Sequence, residues 1–257
     1  MLTRLAFRTV AVSLALNALG GSLPAQHSKD LPFGPGERFE YTGRVHKGIS
    51  GAGVLWIDAP SELRGVPTWT LHSDMEGSFG FLHASDKNAS WLDPARMTSL
   101  RYTAQERHLL KRHDDVIDIF ADEKRWSAQG GLTGTIVSDA PLDELSFLYY
   151  LRTIALPTDS VMTLSRHFDT TRNPTLISVV GREDVEVPAG KFHAVIVEMR
   201  VRDTRHYNGE GIIKFAFSDD KCRLILRIES DVPDAGSAAL YLKAYSGNRA
   251  ECSAAVK

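Results

Sequence analysis

Cysteine is nearly absent: 257 residues hold only Cys222 and Cys252. Two thiols cannot make a disulfide scaffold, and their separation is not that of a metal knuckle. An excess of charge of one sign is also missing. The chain has 30 basic and 32 acidic residues and a formal net charge of −2, which removes the case for nucleic acid or an anionic membrane surface as partner. Past the N-terminus no run is apolar enough to span a bilayer, so no transmembrane segment is expected in the mature chain. Catalytic signatures are lacking as well: there is no Gly-x-Ser-x-Gly elbow, no phosphate loop and no dinucleotide fingerprint. The glycine-rich "GISGAG" (48–53) joins two strands and reads as a hairpin turn. Nine histidines include His108 and His113, but no zinc-protease spacing with its glutamate. No metal and no cofactor is expected.

What is present starts with the N-terminus. Arg4 and Arg8 precede the mostly apolar "TVAVSLALNALGG", and "SLPAQ" follows with small Ala25. That order is the one found in a secretory signal peptide. The expected organisation is a signal peptide over 1–25, one β-rich domain over 26–248 and a flexible tail over 249–257. No cysteine follows the apolar run, so the expected product is exported, in the periplasm or outer envelope, soluble and not a lipoprotein.

Residues alternate in twos through most of the chain. Phe39, Tyr41, Gly43 and Val45 oppose Glu40, Thr42, Arg44 and His46. Trp69, Leu71 and Met75 oppose Thr70, His72 and Asp74. Val195, Val197, Met199 and Val201 share a face, as do Ile213, Phe215 and Phe217. Such alternation marks antiparallel strands with one face on a core and one toward water. Composition (43% hydrophobic, 24% charged) and length suit one large β domain. The predicted fold is mainly β: a single antiparallel curved sheet of about ten strands, a half-barrel or barrel, since a sheet that size curls to manage its edges.

"DELSFLYYLRT" breaks the rhythm. Its spacing predicts one helix over about 140–153, packed on or in the sheet, with Asp139 as cap and Pro141 in the first turn. Asp143 and Glu144 suit its start and Arg152 its end.

Aromatic residues are the candidate ligand contacts, lining an apolar cavity in a curved sheet: Trp56, Trp69, Tyr149 and Tyr150. Core packing is the competing reading of the same side chains. Cys222 lies on an inward strand face, where a free thiol acts as a small hydrophobe; in an oxidising compartment it can instead bridge to Cys252. No residue is assigned a catalytic role.

Four segments carry a resemblance: "PFGPGERFEYTGRV", "DELSFLYYLRT", "VVGREDVEVPAGKFHAVIVE" and "FSDDKCRLILRIES". In that order, over about 32–245, they resemble the bacterial exported domain-of-unknown-function 3108 (DUF3108) family. Matching positions include Tyr149, Tyr150, Arg152, Gly181, Pro188, Gly190, Phe192, Asp219, Asp220 and Glu229. The resemblance implies an exported β-rich fold and assigns no catalytic residue.

The functional expectation is a non-enzymatic envelope protein that binds an apolar or amphipathic ligand, such as a lipid, within the curved sheet. One alternative is a structural or interaction module with an envelope protein as partner. Another is a hydrolase in which His72, Asp74 or His113 converge.

Overall fold

A computed structural model describes residues 31–45, 49–79, 82–108, 111–202, 210–232, 236–247 and 249–253. The predicted signal peptide lies outside them. The strands are β1 (Arg38–Val45), β2 (Ile49–Ile57), β3 (Ser61–Leu63), β4 (Val66–Phe79), β5 (Leu82–Asp93), β6 (Thr98–His108), β7 (Lys111–Phe120), β8 (Arg125–Ala128) and β9 (Thr133–Thr135). After helix α1 (Glu144–Leu151) come β10 (Val161–Leu164), β11 (Thr175–Val187), β12 (Gly190–Arg202), β13 (Glu210–Ser218), β14 (Ile225–Val232), β15 (Gly236–Ser246) and a turn of helix, α2 (Ala250–Ser253).

Among the described residues all strand pairings are antiparallel, in one sheet ordered β10 to β15, then β1, β2 and β4 to β9, with β3 on β4. Among the described residues the sheet has 15 strands, not about ten. The difference has two sources. β3, β8, β9 and β10 are three or four residues long, too short to show a period. β5 is polar in its middle (Asp86, Lys87, Asn88), yet β4 and β6 hydrogen-bond it on both sides, so tertiary pairing overrides poor strand propensity.

The sheet is not closed, and β9 and β10 are its edges. It curls nonetheless. A single core joins Phe39, Leu55, Leu71 and Leu92 from one half with Ile177, Val197, Phe215 and Leu226 from the other, with α1 between them. Ala189, in the β11–β12 turn, donates its N–H to Leu242 O of β15 at 3.0 Å. The tight turn there uses Gly190 at φ +135°, a conformation that a side chain would strain. A second, smaller core forms from Tyr102, Ile117, Ile119, Trp126, Ile136 and Phe168.

Helix α1 is shorter than predicted and starts at Glu144, with Asp143 rather than Asp139 as its cap. Leu142 cannot be helical, because it bridges to His167. Its N–H donates to Arg166 O (2.6 Å) and its carbonyl accepts from Phe168 N (2.9 Å). Asp143 receives the N–H groups of Leu145 and Ser146, and Ser146 Oγ accepts from Asp143 N, a capping box. Among the described residues no helix is long and apolar enough to cross a membrane.

Candidate functional site

Both ends of α1 are anchored by buried polar groups. At the C-terminal end Arg152 has no exposed side-chain surface. Its guanidinium donates to Glu37 through Nη1 (2.6 Å) and Nη2 (2.9 Å), and also to the carbonyls of Pro32 (3.0 Å), Cys222 (3.1 Å) and Arg223 (2.9 Å). Burial alone would lower its pKa; the Glu37 carboxylate raises it instead. Tyr245 OH donates to Glu37 at 3.2 Å. The Tyr245 ring faces this pair because of a bulge. Phe39 stands opposite Tyr245 but Tyr41 opposite Leu242, so β15 carries one extra residue, which swaps faces. One arginine thus ties together the segment before β1, the end of α1, the β13–β14 turn and β15.

At the N-terminal end Ser90 Oγ donates to Asp143 (2.5 Å), and Ser99 and Ser146 hydroxyls meet at 2.6 Å. Burial pushes the Asp143 carboxyl up to about 6, against the hydrogen bonds from Ser146 and Ser90. Glu144 follows. Burial would raise its pKa, but Arg172 and His167 hold it well below the ordinary range. Asp169 N–H donates to His167 Nδ1 at 3.0 Å, which leaves the ring proton on Nε2, 3.4 Å from Glu144.

Beyond the C-terminal end of α1 opens a cleft of about 710 Å³. Leu31, Pro32, Met97, Ile154 and Ala155 form its apolar wall, and Arg152 and Thr153 lie at its floor. The β13–β14 turn contributes Asp219, Asp220, Lys221 and Arg223, and Arg249 comes from the segment before α2. Cys222 and Cys252 are paired, so the disulfide ties α2 to that turn. Residues 250–253, read from the sequence as part of a tail, are helical and held there.

The four aromatic candidates do not gather at this cleft. Trp56 is half-buried on the outer face, stacked on His72 with centroids 4.5 Å apart, its Nε1 donating to Asp58 at 3.0 Å. Trp69 packs at the edge of the main core against Phe33. Tyr149 lies in that core, 5.0 Å from the Phe33 ring, its hydroxyl without a hydrogen-bond partner among the described residues. Tyr150 is half-buried beneath the Arg166 guanidinium, 4.1 Å from its ring. His72, Asp74 and His113 have separate partners: Asp58 (2.7 Å), Lys87 (3.4 Å) and Asp115 (2.8 Å). Among the described residues no group of three or more His, Cys, Asp or Glu could hold a metal ion.

Glu37, Lys221, Arg223 and Arg249 were not legible as a site. Their one signal is indirect. Cys222 sits between Lys221 and Arg223, and Cys252 follows Arg249 by three positions, so a bridge gathers three cations.

The sequence profile of the DUF3108 family, described as a protein of unknown function, matches residues 51–243. No curated protein matches the chain. Among solved structures, the chain is similar to a β-barrel-like protein of domain of unknown function DUF1849 from Brucella abortus. The TM-score is 0.59 at 11% identity, covering 83% of this chain and 98% of that one. That likeness shows the fold. A protein with a YmcC-like fold from Bacteroides fragilis aligns at TM-score 0.32 and 13% identity, over 84% and 98% of the two chains.

Proposed function

Because the chain belongs to the DUF3108 family, which is defined without an activity, we propose a function from this protein's own geometry: a non-enzymatic, exported binder of an amphipathic ligand, seated in the cleft at the end of α1. The carrying observation is the division of space. The hollow of the curled sheet is filled by α1 and a continuous apolar core, and the cleft beyond the helix combines an apolar wall with charged side chains. Concave sites of several hundred cubic ångströms with that mixture suit small ligands. Export rests on the N-terminal segment and gains support from the Cys222–Cys252 bridge, a bond that persists in oxidising compartments.

The test is extraction. The full chain purified from its host should release an amphiphile into organic solvent, and that amphiphile should displace Nile red from the stripped protein. Ile154→Asp, which places a charge on the apolar wall, should abolish displacement while the protein still unfolds cooperatively. An empty extract together with no Nile red binding would overturn the reading.

A second reading, an interaction module, draws on edge strand β10. Val161 is 65% exposed there, and Val180 on neighbouring β11 is 50% exposed. Envelope pull-downs that lose a stable partner on Val161→Lys would favour it; pull-downs that recover none would remove it.

A further inference from the structure

We propose that the cleft seats the anionic head, a carboxylate or phosphate, of its amphiphile, held by Lys221, Arg223 and Arg249. This rests on the ligand-cleft reading above and specifies the chemistry of what it takes.

Donors are in surplus on this rim. Several of its acceptors are already used within the protein. Asp219 accepts from Arg182 Nε (2.7 Å) and Arg223 Nη1 (3.3 Å). Asp220 Oδ1 accepts from Ser218 Oγ (2.8 Å), Cys222 N (2.8 Å) and Arg223 N (3.1 Å). The Pro32 and Leu31 carbonyls are taken by Arg152 (3.0 Å) and Arg249 (2.8 Å). Arg152 is committed to Glu37 and lies beneath the site.

The cations are poorly served by comparison. The Lys221 side chain is 71% exposed, and among the described residues its Nζ finds only Glu251, at 3.6 Å. Arg249 Nε and Nη2 reach the same Glu251 oxygen at 3.4 and 3.3 Å. Among the described residues the Arg223 guanidinium makes one hydrogen bond, from Nη1 to Asp219 at 3.3 Å, and none from Nε or Nη2. Good charge-assisted hydrogen bonds are near 2.7–2.9 Å, so each of these contacts to a carboxylate is long, and the short bond of Arg249 goes to the neutral Leu31 carbonyl. Glu251 is therefore a weak internal anion, shared by two cations, that a better one can displace.

The disulfide supplies the preorganisation. Cys222 fixes Lys221 and Arg223 on its two sides, and its bond to Cys252 brings Arg249 to the same rim. The three positive groups need not be gathered by the ligand, which lowers the cost of binding. The wall of Leu31, Pro32, Met97 and Ile154 lies beside them for an aliphatic tail. A free anion would leave that wall wet, whereas a cationic amphiphile would meet three cations and only carboxylates already engaged within the protein, Asp219, Asp220 and Glu251.

Calorimetric titration of the stripped full chain tests this, with three amphiphiles kept below their micelle concentrations, dodecyl phosphate, dodecanoate and dodecyltrimethylammonium, and with inorganic phosphate. The two anionic amphiphiles should bind at least about tenfold more tightly than the cationic one, the scale of one lost charged hydrogen bond. Lys221→Glu with Arg249→Glu should remove that preference, and Glu251→Gln should strengthen anion binding. Retained disulfide and an unchanged circular dichroism spectrum show that the variants fold, and Lys221→Arg should bind as wild type. Equal binding of all three amphiphiles overturns the head-group assignment and leaves the ligand cleft standing. Inorganic phosphate binding as tightly as dodecyl phosphate overturns the amphiphile and identifies a free anion. Failure of every probe to bind sinks the cleft reading itself.

Discussion

Arg152 and Glu37 form a two-point ion pair 115 positions apart in sequence, with 0% and 2% of their side chains exposed. Such a pair stabilises little in net terms, because desolvation offsets attraction, but losing one member strands the other charge in the core. Glu37→Gln or Arg152→Met is expected to cost about 3–5 kcal/mol by urea unfolding. Joint replacement, Glu37→Leu with Arg152→Met, should cost less than the sum of the two. Strict additivity would show that the pair is not coupled.

Asp143 sets a pH dependence whose sign follows from its burial. Its folded carboxyl titrates near 6, above the unfolded carboxylate range, so the folded state binds the extra proton. That contribution is fully present below the unfolded value and is lost as pH rises toward about 6. The stability of wild type relative to Asp143→Asn should fall between about pH 4 and pH 6 and then level off. A flat difference across that window counts against a buried, proton-holding Asp143.

The Cys222–Cys252 bridge closes a loop over a sequence separation of 30. Chain-entropy reasoning gives about 3–4 kcal/mol for a loop of that size. The Cys222→Ala, Cys252→Ala protein should unfold at correspondingly lower urea, and reduction of wild type should reproduce the shift. An effect below roughly 1 kcal/mol would indicate that α2 is held by packing alone.

Gly134 on β9 lies against a ring. A Cβ there would come 2.5 Å from Trp126 Nε1 in the second core. Gly134→Ala should force the indole to move and cost about 1–3 kcal/mol, the range for overpacking. Wild-type stability in that variant would mean Trp126 has room to shift.

The strands with a buried face were legible because the core demands alternation, and β12, with Val195, Val197 and Met199 inward, shows it well. β5 was not, since Asp86, Lys87 and Asn88 give no apolar period and only its neighbours make it a strand. The start of α1 was misplaced because a bridge to His167, far along the chain, claims Leu142. Arg152 reads in sequence as a cation at a helix end, and nothing local says that Glu37 waits for it. The cleft was illegible for the same reason: its rim is assembled from the β13–β14 turn and the segment before α2, neither of which has a periodic pattern.

The first strand sits in the middle of the sheet, between β2 and β15. Its second neighbour is the last strand made: Tyr245, which meets Glu37, is 208 positions later. Synthesis therefore delivers a central seam first and its closing partner last. Until β15 arrives β1 remains an unpaired edge, and the apolar core that needs both halves cannot be completed. A chain cut before β15 would leave β1 and β14 as edges and would lack the strand that joins the two halves of the main core.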